Sequence, residues 1–192
     1  MQQLIFTGIG SRSITPQEQD VIIEISETLA DVGFILRSGK ADGADAAFQI
    51  GYQQYKNFTK QMIPVQAEIF IPWDGFNKEN RLLEDDWDIV FGENETAWQM
   101  VKRIHKRPDQ LKHGPRLLHM RNCAQVLGKD LDKPSLFVLY CADEEWITGE
   151  VSGGTRTAVE LARSLGIRTF NIRRRKWIYE LIDFLLSKDI RI

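Results

Sequence analysis

Three times along this chain of 192 residues a short apolar run gives way to a glycine-rich turn and then to a helix-forming segment. Leu4 to Thr7 leads into Gly8-Ile9-Gly10-Ser11-Arg12. Phe34-Ile35-Leu36 leads into Ser38-Gly39-Lys40-Ala41-Asp42-Gly43-Ala44-Asp45, and Ser135 to Cys141 is followed by Ser152-Gly153-Gly154-Thr155. Strands that alternate with helices require right-handed crossovers, so the expected class is α/β, a mostly parallel sheet with helices on both faces. Ligands of such sheets sit beyond the carboxyl ends of the strands, and all three turns fall at that edge.

The segments between the turns support this reading. Thr15 suits a helix N-cap, with Pro16 at the first helical position, Glu18 at capping-box spacing and Ile22, Ile25, Leu29 and Val32 at helical period, before Gly33 ends the helix. A third strand is expected at Glu68 to Pro72. Ser135 to Cys141 is continuously apolar rather than alternating, which predicts a strand covered on both faces at the sheet centre. A helix with Ala158, Leu161, Ala162 and Leu165 on one face follows, then a strand at Ile167 to Ile172 and a last helix over Trp177 to Leu186. The stretch from Trp73 to Lys133 reads as an insertion: a polar loop, a helix near Thr96 to His105, a basic turn, and a helix near Arg116 to Leu127. It is the expected lid or specificity element. Residues 1–192 thus read as one domain with an insertion at about 73–133.

Composition sets outer bounds. With 43% hydrophobic and 27% charged residues the chain is ordinary for a globular protein. Its start lacks a charged segment followed by a signal-length apolar run, and no stretch is long enough to span a membrane, so a cytoplasmic protein without a membrane partner is expected. Cys123 and Cys141 are too few and too far apart for a metal knuckle or a disulfide framework and read as core residues, with no metal site expected. The net charge of −2 gives no bulk attraction for nucleic acid. Any such role needs a local patch, and Lys102, Arg103, Lys106, Arg107, Lys112, Arg116 and Arg121 supply one. Arg173-Arg174-Arg175-Lys176 reads as solvated surface.

Gly39 and Gly43 permit a sharp turn and close approach to a ligand, while a helix start offers unpaired N–H groups and the positive end of a dipole. Such a turn suits a phosphate, although glycine, serine and aspartate are also ordinary turn and capping residues. Ser11 and Arg12 add a hydroxyl and a guanidinium past the first strand. The Ser152-to-Thr155 turn is a second phosphate cradle or a simple cap. Of Asp42 and Asp45, poor phosphate partners themselves, one caps the helix or accepts hydrogen bonds from a sugar or base, or else holds a metal, and Asp45 is the functional candidate. Trp73 and Trp146 follow strands, where each stacks on a base or packs half-buried.

These motifs together resemble the DprA branch of the SLOG superfamily. Its members show Gly-Ser-Arg after the first strand, as at Gly10-Ser11-Arg12, and Ser-Gly-Gly-Ala-x-Gly-hydrophobic-Asp after the second, as at Ser38 to Asp45 with Lys40 in place of the second glycine. The similarity continues in the same order through Ile71-Pro72 with Asn80-Arg81-Leu82, Arg121-Asn122, and Ser152-Gly153 with Thr157-Ala158. The resemblance implies a Rossmann-like fold binding a nucleotide or nucleic acid, and a homo-oligomer. Its ligand residues here are Gly10, Ser11, Arg12, Ser38, Gly39, Lys40, Gly43, Asp45, Arg121, Asn122, Ser152, Gly153, Gly154, Thr155 and Thr157. DprA itself carries further domains around its core, for which this chain has no room.

Similarity to the LOG-type phosphoribohydrolases rests on Arg121 before the central strand and on Gly153 to Glu160, which matches their Gly-Gly-x-Gly-Thr-x-x-Glu turn except for Arg156. Three functions follow as expectations: binding of a nucleotide or nucleotide-derived ligand by the glycine-rich turns, single-stranded DNA binding along the basic segment as a recombination-mediator-like protein, and N-glycosidic hydrolysis of a nucleoside monophosphate. Only the third makes the chain an enzyme, with Arg121 holding phosphate and Glu160 assisting water or stabilising the developing cation, or else Glu160 pairing with Arg156 or Arg163. No cofactor is implied.

Overall fold

Six parallel strands form one sheet in the order β4-β3-β2-β1-β5-β6, in a computed structural model that describes residues 3–59 and 64–191. Met1 and Gln2, read above for a leader, lie outside the described residues, as does Ile192. The strands are β1 (Ile5–Gly10), β2 (Ile35–Ser38), β3 (Ala67–Ile71), β4 (Asp88–Val90), β5 (Phe137–Cys141) and β6 (Arg168–Asn171). The helices are α1 (Pro16–Asp31), α2 (Ala44–Phe58), α3 (Glu95–Ile104), α4 (His113–Leu127), α5 (Thr155–Ser164) and α6 (Trp177–Leu186). The α/β Rossmann-like architecture expected from the alternation is the one observed.

Helices cover both faces because β5 is apolar at every position. Phe137, Leu139 and Cys141 enter the core beneath α1, α2 and α6, whereas Val138 and Tyr140 enter the core beneath α3, α4 and α5. In the first core Phe6 pairs in register with Leu36 and Phe137. Its ring lies 6.0 Å from Phe34, 6.1 Å from Phe48 and 5.5 Å from Phe137. Each such fully buried ring or aliphatic side chain contributes about 1.5–3 kcal/mol relative to exposure, so this layer is the main mechanical support of the turns above it. Both cysteines are buried and unpaired, and burial pushes Cys123 up to about 12 and Cys141 up to about 11.

The α1 capping box forms as expected: Thr15 Oγ1 accepts from the Glu18 amide at 3.1 Å, and Glu18 accepts from the Thr15 amide at 2.7 Å. Three expectations need correction. The strand β5 is interior but one place from the β6 edge, and β1 and β2 hold the centre. The polar loop of the insertion contains an edge strand, β4, which pairs Ile89 with Phe70 in β3. The helical insertion is also no lid. Met120, Cys123, Ala124 and Val126 of α4 are fully buried, so this helix is a structural layer over the sheet. It reaches the ligand edge through Leu118, Arg121, Asn122 and Gln125, and the loop after β3 reaches the same edge beside it.

Candidate functional site

At the carboxyl ends of β1, β2 and β5 the three turns enclose a cleft of about 330 Å³. Gly10, Ser11, Arg12, Asp45, Arg121, Asn122, Ser152, Gly153, Gly154 and Thr155 line it, all of them expected site residues, together with Ile9, Ala41, Leu118, Gln125, Ala142 and Asp143. Sequence reading missed Gln125, although it follows Arg121 by one helical turn on α4 and so shares its face.

The turn after β2 is packed against its neighbours rather than open to a ligand. Gly43 has φ +80°, and a Cβ there would meet the carbonyl oxygens of Ser11 at 2.4 Å and Arg12 at 2.5 Å. The Ala44 amide at the start of α2 donates to the Ser11 carbonyl at 3.0 Å. The Ala46 amide likewise donates to the Ala41 carbonyl at 3.0 Å, so backbone oxygens already occupy this helix start. Asp45 Oδ1 accepts from the Gly10 amide at 3.1 Å, and Oδ2 lies 3.4 Å from Arg121 Nη1. Burial pushes the Asp45 carboxyl up, opposed by the Arg121 charge and by the Gly10 and Ala41 amides. Burial likewise pulls Arg121 down, opposed by Asp45. Asp45 thus locks two turns and a helix together instead of presenting free oxygens.

Arg121 has donors to spare. Its side chain is only 4% exposed, and its Nε has no partner among the described residues; nor has Nε2 of Gln125, which is 1% exposed. Gly39 makes room for both, since a Cβ there would lie 1.5 Å from Arg121 Nη1 and 2.4 Å from Gln125 Nε2. A buried donor left unmade costs about 1–3 kcal/mol, so two cleft-lining side chains hold hydrogen-bonding capacity that the described residues do not use.

The turn after β5 is open. Gly153, at φ +70°, and Gly154 have nothing within 4 Å of where a Cβ would stand, and no side chain caps α5. Its first-turn N–H groups have no intrahelical acceptor, and of them the Arg156 amide donates to the Gly153 carbonyl at 3.4 Å. Asn122 Nδ2 donates to the Gly154 carbonyl at 2.9 Å and fixes the turn to α4. Behind it, His119 Nδ1 meets Thr157 Oγ1 at 2.7 Å. Burial, helped by His105 and Arg121, pulls His119 down to about 4, leaving a neutral imidazole at neutral pH.

Several expected ligand residues are used elsewhere. Lys40 is 1% exposed and pairs with Asp85 and with Asp88, the latter at 2.5 Å, so its charge stabilises β4 and not a ligand. It adopts φ +58°, consistent with the glycine that the resembling motif carries there. Ser38 Oγ donates to the Gly8 carbonyl at 2.7 Å inside the sheet, and Thr157 faces His119. Glu160 does not line the cleft and pairs with Arg163 at 3.2 Å. Arg156 pairs with Glu150 at 2.9 Å.

The basic segment divides in the same way. Arg116 lies 4.4 Å over the Trp98 ring and Arg121 is buried, whereas Lys102, Arg103, Lys106, Arg107 and Lys112 are exposed. Arg173 and Arg174 are tied to Glu18, Asp143 and Glu144. Trp146 is 92% exposed at the tip of the loop between β5 and α5, and Trp73 is 40% exposed beside the cleft. Among the described residues no group of three or more His, Cys, Asp or Glu side chains could hold a metal ion, and no helix is long and apolar enough to cross a membrane.

No family model matches this chain, and no curated protein matches it by sequence. Solved structures match its fold. The Moco carrier protein of Chlamydomonas rheinhardtii aligns over 98% of this chain and 86% of its own, with a TM-score of 0.52 and 13% identity. DNA processing protein A (DprA) from Streptococcus pneumoniae aligns over 98% of this chain and 57% of its own, with a TM-score of 0.52 and 16% identity. This chain therefore spans little more than half the length of that DprA. DNA processing protein A from Helicobacter pylori aligns over 99% of this chain and 74% of its own, with a TM-score of 0.48 and 15% identity. The first two comparisons assign the chain the Rossmann-like fold that DprA and the Moco carrier protein share.

Proposed function

We propose that this chain is a DprA-like domain of the SLOG type that binds a nucleotide or nucleotide-derived ligand in the cleft between the three turns. One observation carries the reading: the buried, unpartnered donors Arg121 Nε and Gln125 Nε2 stand in a cleft whose far wall is the uncapped start of α5. Side chains with unused donors and a helix N-terminus lining one cleft suit a phosphate. Ser11 and Arg12 complete the rim, and Arg12 makes no ion pair among the described residues. The test is thermal unfolding with a panel of nucleotides. A ligand at a hundred times its Kd stabilises by about 2.7 kcal/mol, and Arg121→Gln is expected to abolish the shift; a flat response across the panel rejects the proposal.

A second reading is single-stranded DNA binding. It is favoured by the five exposed cations at the end of α3 and in the following loop, with the exposed Trp146 available for stacking. It predicts affinity that falls steeply with salt and is lost on charge reversal at Arg103 and Arg107. Fluorescence anisotropy of a labelled oligonucleotide at two salt concentrations separates the two readings. Hydrolysis through Glu160 is not carried forward, because that carboxylate pairs with Arg163 outside the cleft.

A further inference from the structure

Next to the phosphate-ready cleft lies a second hollow of about 360 Å³ that shares Arg12 and Ala41 with it. Asp42, Trp73, Phe76 and Asn77 form its other walls, and Glu79 stands at its rim. The Trp73 and Phe76 rings meet edge to face at 5.3 Å and 86°, and the Arg121 guanidinium lies 5.9 Å from the Phe76 ring. One aromatic wall therefore runs from the buried arginine to the hollow. The loop carrying that wall is fixed. Asp42 Oδ1 accepts from Asn77 Nδ2 and from Asn80 Nδ2, each at 3.0 Å, and Asn77 Nδ2 also donates to the Lys40 carbonyl at 2.9 Å. Both amides fall on the same oxygen, which leaves Asp42 Oδ2 as an acceptor.

On the reading proposed above, we infer that this hollow seats the base of the bound nucleotide and selects bases that carry an exocyclic amino group. A second phosphate is turned away by the carboxylates of Asp42 and Glu79, so the phosphate belongs at the α5 end of the cleft and the base at this one. Trp73 offers a half-exposed face on which any base stacks. The Asp42 carboxylate then discriminates: it accepts from an amino group, such as that on C4 of cytosine, and repels the carbonyl oxygen that uracil presents at the same position. A site built to accept a hydrogen bond discriminates strongly against an analogue that lacks the donor.

The test compares cytidine 5′-monophosphate, uridine 5′-monophosphate and ribose 5-phosphate by titration calorimetry on the whole chain. The cytosine nucleotide is expected to bind at least about tenfold more tightly than the uracil nucleotide, the scale of one hydrogen bond to a charged group. Asp42→Asn is expected to collapse that ratio to within twofold while ribose 5-phosphate binds unchanged. Trp73→Ala, which leaves the Asp42 bonds intact, is expected to weaken both nucleotides about tenfold and ribose 5-phosphate not at all. Equal binding of the two nucleotides to the unaltered protein, or an unchanged ratio in Asp42→Asn, overturns the base-site inference and leaves the phosphate site standing. If neither nucleotide nor ribose 5-phosphate binds, the nucleotide reading itself fails, and this inference with it.

Discussion

The turns after β2 and β5 are both glycine-rich, both lead from a parallel strand into a helix, and both adjoin one cleft, yet they do opposite things. After β2, the Ser11 and Ala41 carbonyls occupy amides at the start of α2, and the Asp45 carboxylate ties the turn to the Gly10 amide and to Arg121. After β5, Gly153 and Gly154 face open space and α5 has no side-chain cap. A glycine can be required by protein atoms or by ligand atoms, and the same letters serve both. The first turn is closed by its own chain and supports the site, whereas the second is left for something else to close.

If Asp45 ties the first turn to Arg121, Asp45→Ala strands the Arg121 charge in a buried site. Removing one partner of a buried pair costs about 3–5 kcal/mol, which urea unfolding would read directly; a loss below about 1 kcal/mol would show that the turn does not depend on this pair. The glycines extend the comparison. Gly43→Ala and Gly153→Ala both force a side chain to a positive φ that L residues rarely adopt, and Gly43, at φ 80° and ψ −124°, lies outside even the left-handed helical region. Only the first also drives a Cβ to within 2.4 Å of a backbone oxygen. Gly43→Ala is therefore expected to lose more stability than Gly153→Ala, by roughly 1–2 kcal/mol, while Gly153→Ala loses more affinity for a phosphate ligand than its stability change explains.

The two regions also differ in pH response. Glu144, beside the second turn, is half-buried with its side chain covered, yet bonds from Tyr140, Arg174, Asn171 and Arg163 outweigh burial and bring it down to about 2 from the usual 4.5. A carboxyl lowered on folding adds stability that is complete above about pH 4.5 and is lost as pH falls toward 2. Asp45, raised by burial, has the opposite sign, because its folded form takes up a proton first and so gains relative stability on acidification. Glu144→Gln should flatten the acid limb of a stability-against-pH curve measured between pH 5 and 2. An unchanged acid limb would mean that this network does not tie down the loop between β5 and α5.

Element existence was legible wherever a periodic signal was long. The continuous run at β5, the capping box of α1 and the last helix needed no tertiary information. The strand β4 was hidden because it has three residues, enters from the acidic stretch Glu84 to Asp88, and exists through pairing with β3. Lys40 was misread for the same reason. Its partners Asp85 and Asp88 lie 45 and 48 positions away, so a cation in a glycine turn looked like a phosphate ligand when it is a clasp for an edge strand. At the site, the turns, Arg121 and Asn122 were legible as a set. Gln125 was not, because a glutamine on an apolar helix acquires meaning only once the neighbouring arginine is seen to lack a partner for its Nε.

The smallest expected effect separates the roles most cleanly. Gly154 has helical backbone angles, φ −66° and ψ −31°, at the N-cap of α5, with open space where its Cβ would go. An alanine there meets no protein atom and reduces the freedom of the unfolded chain, a change that stabilises by about 0.4–1 kcal/mol where the native conformation allows it. Any preference for glycine over alanine at an N-cap offsets part of that, so Gly154→Ala is expected to alter stability by less than about 1 kcal/mol. Its methyl group nevertheless enters the space where a phosphate would meet the helix start, and affinity for the ligand should fall. Near-neutral stability with weakened binding would mark Gly154 as a ligand glycine. A clear loss of stability would instead show that this turn, like the one after β2, is held by the protein itself.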